Sequence, residues 1–583
     1  MARGRRHGRC RGRCRVTGDA NRPGANRLGT NRSGTNRLSA NRFGTSDADQ
    51  PTTSARWSAR RLNSPNPLWG SNGVSFGPDG RLYAAQFLAG QISAVDTATG
   101  EVEVVVPMDG PVQSPDDLAF GADGSMYIAD LVPGRVWRRS PDGAYTLISE
   151  EVKVPNGITC VGDRLFVNEM KMNGRLLELF PDGRDPLVLT EGLALGNAMQ
   201  VGPDGCLYYP HMMTGQVWRI PVNGGAPELV AEDVHEPVAV RFDQGGVLLV
   251  LSRGVAGVVT RIDLHGSGSR TLVTSGVAGL DNAAFDAENR MFVSSYASGG
   301  VTEMAPDGRT REIVRGGLVG PFGVTIDLGG TVHLADHYRL AHPEPTAADG
   351  TAESGQGGVT THDLLTFCHG ITADNGLLHL TSQYGDVRTY DPERRTSQVR
   401  AIGLDQPLGI AARADGTLVV AEAGGGRVLA IDAADDTVTE LAAGLQHPVD
   451  VVLDAEQRCY VSDDRLGAVL RIDDGRTTVV AAGLGAPQGL TLVNDELFTV
   501  DTEGRRLLAI SLTTGVIRTE AENLAVGPPP GTKPRTEPAL FTHGMPGSPR
   551  PYAGLTAAPD GSLLLSANGE GTVLRLTPVP VAG

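Results

Sequence analysis

What this chain lacks narrows it quickly. No apolar stretch approaches the roughly 18 residues that a membrane-crossing helix needs, so a soluble protein with no membrane partner is expected. The opening, MARGRRHGRCRGRCRV, has no apolar core of the kind that marks a secretory leader, and a cytoplasmic location is the expectation. Six cysteines are too few to frame 583 residues with disulfides. Cys160, Cys206 and Cys459 fall in or beside apolar strand patterns, where a thiol serves as a small hydrophobe. Lysine is nearly missing, with Lys153, Lys171 and Lys533 the three present among 51 basic side chains. Catalytic signatures are missing too: there is no GxSxG elbow, no P-loop and no dinucleotide fingerprint.

What positive charge there is gathers at one end. Residues 1–50 hold 12 Arg against 3 Asp, which leaves 39 basic and 64 acidic side chains for the rest. This leader carries the pentads NRPGA, NRLGT, NRSGT, NRLSA and NRFGT and has too few apolar residues to offset the entropy of ordering. A disordered Arg-rich tail is expected over 1–62. Such a tail can neutralise a polyanion, but no aromatic or folded nucleic-acid module accompanies it, so nucleic acid is not the expected partner.

From about residue 70 the chain becomes periodic. Twelve copies of a strand, a tight turn that is often Asp-Gly, and a second strand that often ends on an acid follow one another, most of them about 40 residues apart, the period of four-stranded propeller blades. The strands are rich in Val, Ile, Leu, Tyr and Phe, and the turn glycines accept the positive φ that a tight turn demands. The fold class expected is all-β. Twelve blades exceed one ring, so two tandem six-bladed β-propellers are expected, over 70–318 and 319–583, with seven plus five as the alternative. Two copies carry Pro/Gly-rich insertions, at 340–358 and 527–551. The twelfth copy ends early, so its outer strand has to come from elsewhere in the chain.

This repeat resembles the family of senescence marker protein 30 and gluconolactonase, and more weakly NHL-repeat proteins and virginiamycin B lyase. The resemblance covers nearly everything after residue 70, as repeat grammar.

The copies differ most at the entrance of their first strands, where propeller strands converge on the central channel. The first six entrances are Asn72, Asp116, Asn156, Asn197, Val238 and Asp281; the second six are Phe322, His369, Leu408, Val449, Gln488 and Ala553. A ring of amide and carboxylate oxygens suits a hard cation, Ca²⁺ first, with Mg²⁺ and Zn²⁺ as alternatives. The resemblance implies metal ligands at Asn156, Asn197 and Asp281, with Asp116 as a further ligand and Asn72 as a ligand or substrate contact. Where the family has a Glu in its first blade this chain has Asn72, and Val238 removes one place.

Second strands return to the same rim, ending on Gln86, Asp130, Glu169, His211, Ser252 and Ser295. Asp130, Asp336, Asp463 and Asp501 recur in both halves and read as turn residues. Glu169 and His211 break that pattern and are the candidate bases, with Asn72 and Gln86 expected to touch the substrate. A cation there could polarise a carbonyl and activate water. The function expected is therefore a cation-dependent hydrolase of a small lactone, ester or cyclic metabolite. The alternatives are a lyase or cyclase of natural-product metabolism and a non-catalytic binding scaffold. A second site around His369, Cys368, Glu422 and His447 is the minor possibility for the second propeller, beside a scaffold role.

Overall fold

The computed structural model describes residues 51–264, 268–344, 357–365, 367–527 and 552–580. Among them every regular element is a strand, and the strands form twelve antiparallel sheets. Each sheet is one copy of the sequence repeat, so blades 1 to 12 follow the order of the copies. The Asp-Gly turn explains how a blade holds its shape. In blade 4, Gly205 takes φ 76°. The preceding Asp204 accepts the Cys206 N–H at 3.0 Å, the Tyr208 hydroxyl at 2.9 Å and an Arg219 N–H at 3.0 Å. One carboxylate thus ties three strands at the end remote from the rim.

Two rings close. In the first, the Gly73 N–H donates to Asp116 O at 2.7 Å, Asn168 Nδ2 to Asn197 O at 2.7 Å, the Val240 N–H to Ala198 O at 3.1 Å, and Arg241 Nε to Ala283 O at 2.8 Å. Ser294 Oγ of blade 6 then donates to Asn72 O of blade 1. In the second, the Gly323 N–H donates to His369 O, Ser462 Oγ to Gln488 O, the Gly489 N–H to Ala553 O, and the Gly554 N–H of blade 12 to Phe322 O of blade 7. Six blades therefore stand in each ring, and the seven-plus-five arrangement is excluded. The apolar core lies between neighbouring blades: Val419, Ala421 and Val428 of blade 9 pack on Val451 and Val461 of blade 10.

The outer strand missing from the twelfth copy comes from the start of the described chain. Trp57–Arg61 pairs with the strand Thr572–Pro578 from Trp57↔Pro578 to Arg61↔Leu574, and Thr52–Thr53 adds a fifth strand to blade 11. Trp57 packs edge-on against Phe498 at 5.6 Å, and Arg61 grips Glu570 through two bonds of 2.7 and 2.9 Å. This corrects the tail expected over 1–62: Thr52–Thr53 and Trp57–Arg61 are strands of the second ring. Residues 1–50, with all five pentads, lie outside the described residues, as do most of both insertions. The described chain thus starts in the second ring, crosses to build the first and returns. Asn66 fastens both crossings, donating to Ser298 O at 3.2 Å and Leu318 O at 2.9 Å.

The rings meet rim to rim. Phe87, Leu88 and Leu131 of the first ring form one apolar cluster with Tyr338 and Phe367 of the second. Tyr338 reaches across because blade 7 turns in two residues, His337 and Tyr338, between Asp336 and Arg339, and His337 takes φ 53° to allow it.

Candidate functional site

Beneath that cluster lies the channel of the first ring, and its walls follow from strand alternation. Asn72, Asp116, Asn156, Asn197 and Asp281 are all buried at the inner edge. Asn72 Nδ2 lies 3.5 Å from Asp116 Oδ1. Asn156 turns its amide nitrogen to Met170 Sδ at 3.1 Å, while its Oδ1 is buried without a hydrogen-bond partner. Asn197 turns its nitrogen to Met212 Sδ at 3.0 Å and its Oδ1 accepts the Ala198 N–H at 2.7 Å.

One step further from the rim, three blades share a second polar layer. Asp117 accepts the backbone N–H groups of Leu118 at 2.9 Å and Ile158 at 3.3 Å and the Asn282 amide at 3.1 Å. Gly73 lets it in: a Cβ there would stand 2.3 Å from Asp117 Oδ1. Arg241, fully enclosed, bonds Asn282 Oδ1 and the carbonyls of Met199 and Ala283. Asp117 and Asp281 thus share one buried guanidinium, and Asp116 stands beside them without it. Burial first, and then the Asp281 and Asp117 charges, push Asp116 well above the usual carboxylate range. Burial and Asp117 push Asp281 up likewise, with Arg241 and Arg253 opposing. Asp117 rises only to about 6, since Arg241 and the bonds it accepts work against burial.

The residues ending the second strands do something else. Glu169 is fully buried and engaged by the Lys153 N–H at 2.8 Å, the Arg175 N–H at 3.1 Å and the Arg175 side chain at 2.6 Å. Burial opposes its ionisation, but the Arg175 and Lys153 bonds prevail and hold its carboxyl below the ordinary range. Asp130 does the same work with the Ser114 N–H at 2.7 Å and the Trp137 indole at 3.1 Å, Glu422 with the Asp405 N–H and Arg427, and Asp501 with the Ala486 N–H and Arg506. Gln86 accepts the Trp69 N–H at 2.9 Å and bonds Ser93. His211 stacks on Trp218 with centroids 5.7 Å apart, and burial pushes its imidazole down to about 4. The structure therefore brings Asn72, Asp116, Asn156, Asn197 and Asp281 together and turns Glu169, His211 and Gln86 outward to the third strands.

Alternation along an extended chain explains the miss, because a side chain one position later faces the other way. Each next residue, Phe87, Leu131, Met170, Met212, Arg253 and Tyr296, belongs to the mouth. Met170 and Met212 touch the amides, and the charges of Arg253 and Asp281 act on Tyr296. The signal was available in the strand period, which sets residues one apart on opposite faces.

The second channel is tighter. Phe322 and Ala553 are 0% exposed and His369, Val449 and Gln488 1%, against 7% for Asn72 and Asp116 and 8% for Asp281. Phe322, Leu408 and Val449 form an apolar plug with Ala423 and Tyr552. Of the possible second site, Cys368 is a buried thiol pushed well up by burial, His447 bonds Asp464 at 2.6 Å, and Glu422 is the turn acid described above. Cys160, Cys206 and Cys459 are unpaired, with burial raising all three thiols. Among the described residues no three of His, Cys, Asp and Glu gather as a metal cluster, and no helix is long and apolar enough to cross a membrane.

No family model and no curated protein matches this chain. Solved structures similar to it include virginiamycin B lyase from Staphylococcus aureus, 18% identical over 48% of this chain and 96% of that one, with a TM-score of 0.36. A gluconolactonase from Xanthomonas campestris is 15% identical over 42% and 91%, with a TM-score of 0.35. The extracellular domain of a one component system from B. thetaiotaomicron is 11% identical over 90% and 82%, with a TM-score of 0.31. These are likenesses of fold alone, and by its own sheets the chain is a double β-propeller.

Proposed function

We propose that the first channel is the small-molecule site of a hydrolase acting on a lactone, ester or cyclic metabolite. A divalent cation, Ca²⁺ before Mg²⁺ or Zn²⁺, would be held there by Asp116, Asp281 and the amide oxygen of Asn156. The observation that carries this reading is the crowding of buried acids: three carboxyls against one buried arginine, below a ring of amides, with Asp116 and Asp281 held from easy ionisation for want of positive charge and Asn156 Oδ1 lacking a partner. Oxygen donors of this kind fit a hard ion, with water or substrate completing its shell. When bound, the ion would polarise a carbonyl and ease deprotonation of water. Asn72 Nδ2 beside Asp116 can donate to a substrate oxygen, and Tyr338 and Phe367 keep bulk water from their side of the mouth. Glu169 and His211 are not the bases, for the reasons of geometry given above.

The second reading, elimination, is favoured by one observation. Carboxyls whose proton affinity is raised by burial suit proton abstraction next to a carbonyl without a metal.

Metal analysis of the purified chain and calorimetric titration with CaCl₂, for wild type and Asp281→Asn, test the first reading. Saturable binding lost in the variant, with turnover of lactones or aryl esters that takes oxygen from labelled water, is the expected result. Turnover without label incorporation would favour elimination. Absence of both metal binding and turnover would overturn the enzymatic reading.

A further inference from the structure

The mouth of the first channel is covered on one side only. Blades 1, 2, 3 and 6 contribute to the apolar cluster shared with the second ring, whereas blades 4 and 5 contribute nothing to it. Their tips are open: Met213 is 66% exposed and the Arg253 side chain 44%. The apolar cover is therefore thinnest over blades 4 and 5.

The wall changes character toward that opening. Acids and Asn72 stand on blades 1, 2 and 6. On blades 3 and 4 the thioethers of Met170 and Met212 cover the amides of Asn156 and Asn197. On blade 5 the entrance residue is the apolar Val238, buried with Ala198 and partly buried Met212 in one cluster. Arg253 directly follows the second strand of the same blade, its N–H donating to Glu236 O at 3.2 Å. Its guanidinium has Glu236 as its carboxylate partner, at a loose 3.7 Å. Its charge acts on Asp281 and Tyr296 of the first ring and on Tyr384 of blade 8 in the second. A guanidinium offers carboxylates a planar two-pronged donor that a lysine does not match, and methionine adapts to apolar bodies of irregular shape.

We infer that Arg253 sets the substrate class of this channel. The ligand is an apolar-bodied carboxylic acid or similar anion, its body along Met212 and Val238 and its acidic end at the mouth on Arg253. This rests on reading the first channel as a small-molecule site, but not on the cation or on hydrolysis.

The test uses the full chain and two probes with a shared aromatic body: 8-anilinonaphthalene-1-sulfonate, an anion, and N-phenyl-1-naphthylamine, which is neutral. Fluorescence titrations at low salt compare wild type, Arg253→Gln, Arg253→Lys, Met212→Gln and, as a control, the remote exposed Arg184→Gln. Wild type should bind the anion about tenfold more tightly than the neutral probe, the scale of a charge-assisted pair. Arg253→Gln should erase that preference and Arg253→Lys keep part of it, Met212→Gln should weaken both probes, and Arg184→Gln should change nothing. A wild type without preference, or an Arg253→Gln variant that retains it, overturns the inference. If both probes bind alike in every variant, the channel reading falls with it. Preference that survives chelation in a chain free of metal supports Arg253 while removing the cation. Since Arg253 is half exposed, thermal melting of the two Arg253 variants should match wild type.

Discussion

Replacing Trp57 by alanine should open the second ring while leaving the first intact. Trp57 is 6% exposed and packs with Phe498, Leu555, Leu574 and Leu576, side chains of blades 11 and 12. Removing a buried aromatic costs about 3–5 kcal/mol, of which the edge-on contact with Phe498 supplies roughly 0.5–1.5. Against a domain stability of roughly 5–15 kcal/mol, that is a large share, and it falls on a strand held along one side only. Trp57→Phe should cost far less, because the indole N–H it removes is buried without a partner. Ser58→Ala, at an exposed position, should stay within about 0.5 kcal/mol. The assay is urea unfolding with hydrogen exchange read by peptide. Amides of Leu563–Ala567 and Thr572–Pro578 should lose protection at urea concentrations where Met126–Asp130 of blade 2 is unchanged. A single transition shifted equally in both rings, or a loss below about 1 kcal/mol, would refute the claim that this strand closes one ring alone.

Glu169→Gln should lower stability by about 1–3 kcal/mol, the cost of leaving buried N–H donors short of an acceptor, and leave the probe preference of Arg253 unaltered; thermal melting and the fluorescence titration check both halves. Gly73→Ala should destabilise strongly, since its Cβ would sit 2.3 Å from Asp117 Oδ1, whereas Gly80→Ala, with open space but φ 78°, should cost about 1 kcal/mol. The pair is read by denaturant midpoints. His337 is fully buried with neither ring nitrogen bonded, and burial pushes it down to about 3. Its folded state stays neutral while the unfolded chain takes a proton below about 6.5. The stability present above that pH is therefore lost as pH falls toward 3, by about 2 kcal/mol at pH 5. His337→Asn, which tolerates the left-handed backbone, should flatten this acid limb in melts between pH 8 and 5.

The architecture was legible because the blades repeat one set of instructions: an alternating strand, a tight turn that is often Asp-Gly, and, in half of them, an acid that collects N–H groups beneath the rim. Even the want of an outer strand in copy twelve could be read, though its donor, Trp57–Arg61, lay in a stretch assigned to the tail by proximity to the arginines. The ring of Asn72, Asp116, Asn156, Asn197 and Asp281 was legible from departures between copies. Glu169 and His211 were misread because chemical type was weighed before orientation. A Glu in place of Asp looked like a change of role, yet its longer side chain reaches the Lys153 and Arg175 N–H groups in the manner of Asp130. Tyr338 over the channel could not be read at all, because nothing local says that a two-residue turn in the seventh copy will lie against Phe87 and Leu131 of the first and second.

That the strand Trp57–Arg61 belongs to blade 12 fixes an order of events during synthesis. The strand leaves the ribosome more than 500 residues before its partner Thr572–Pro578, an interval on the order of a minute at usual translation rates. Meanwhile the entire first ring is made and can fold, tethered at Asn66. A strand made early is thus among the last to find its place, and chaperones that shield a lone strand bearing an indole would act on this protein early in its synthesis rather than late.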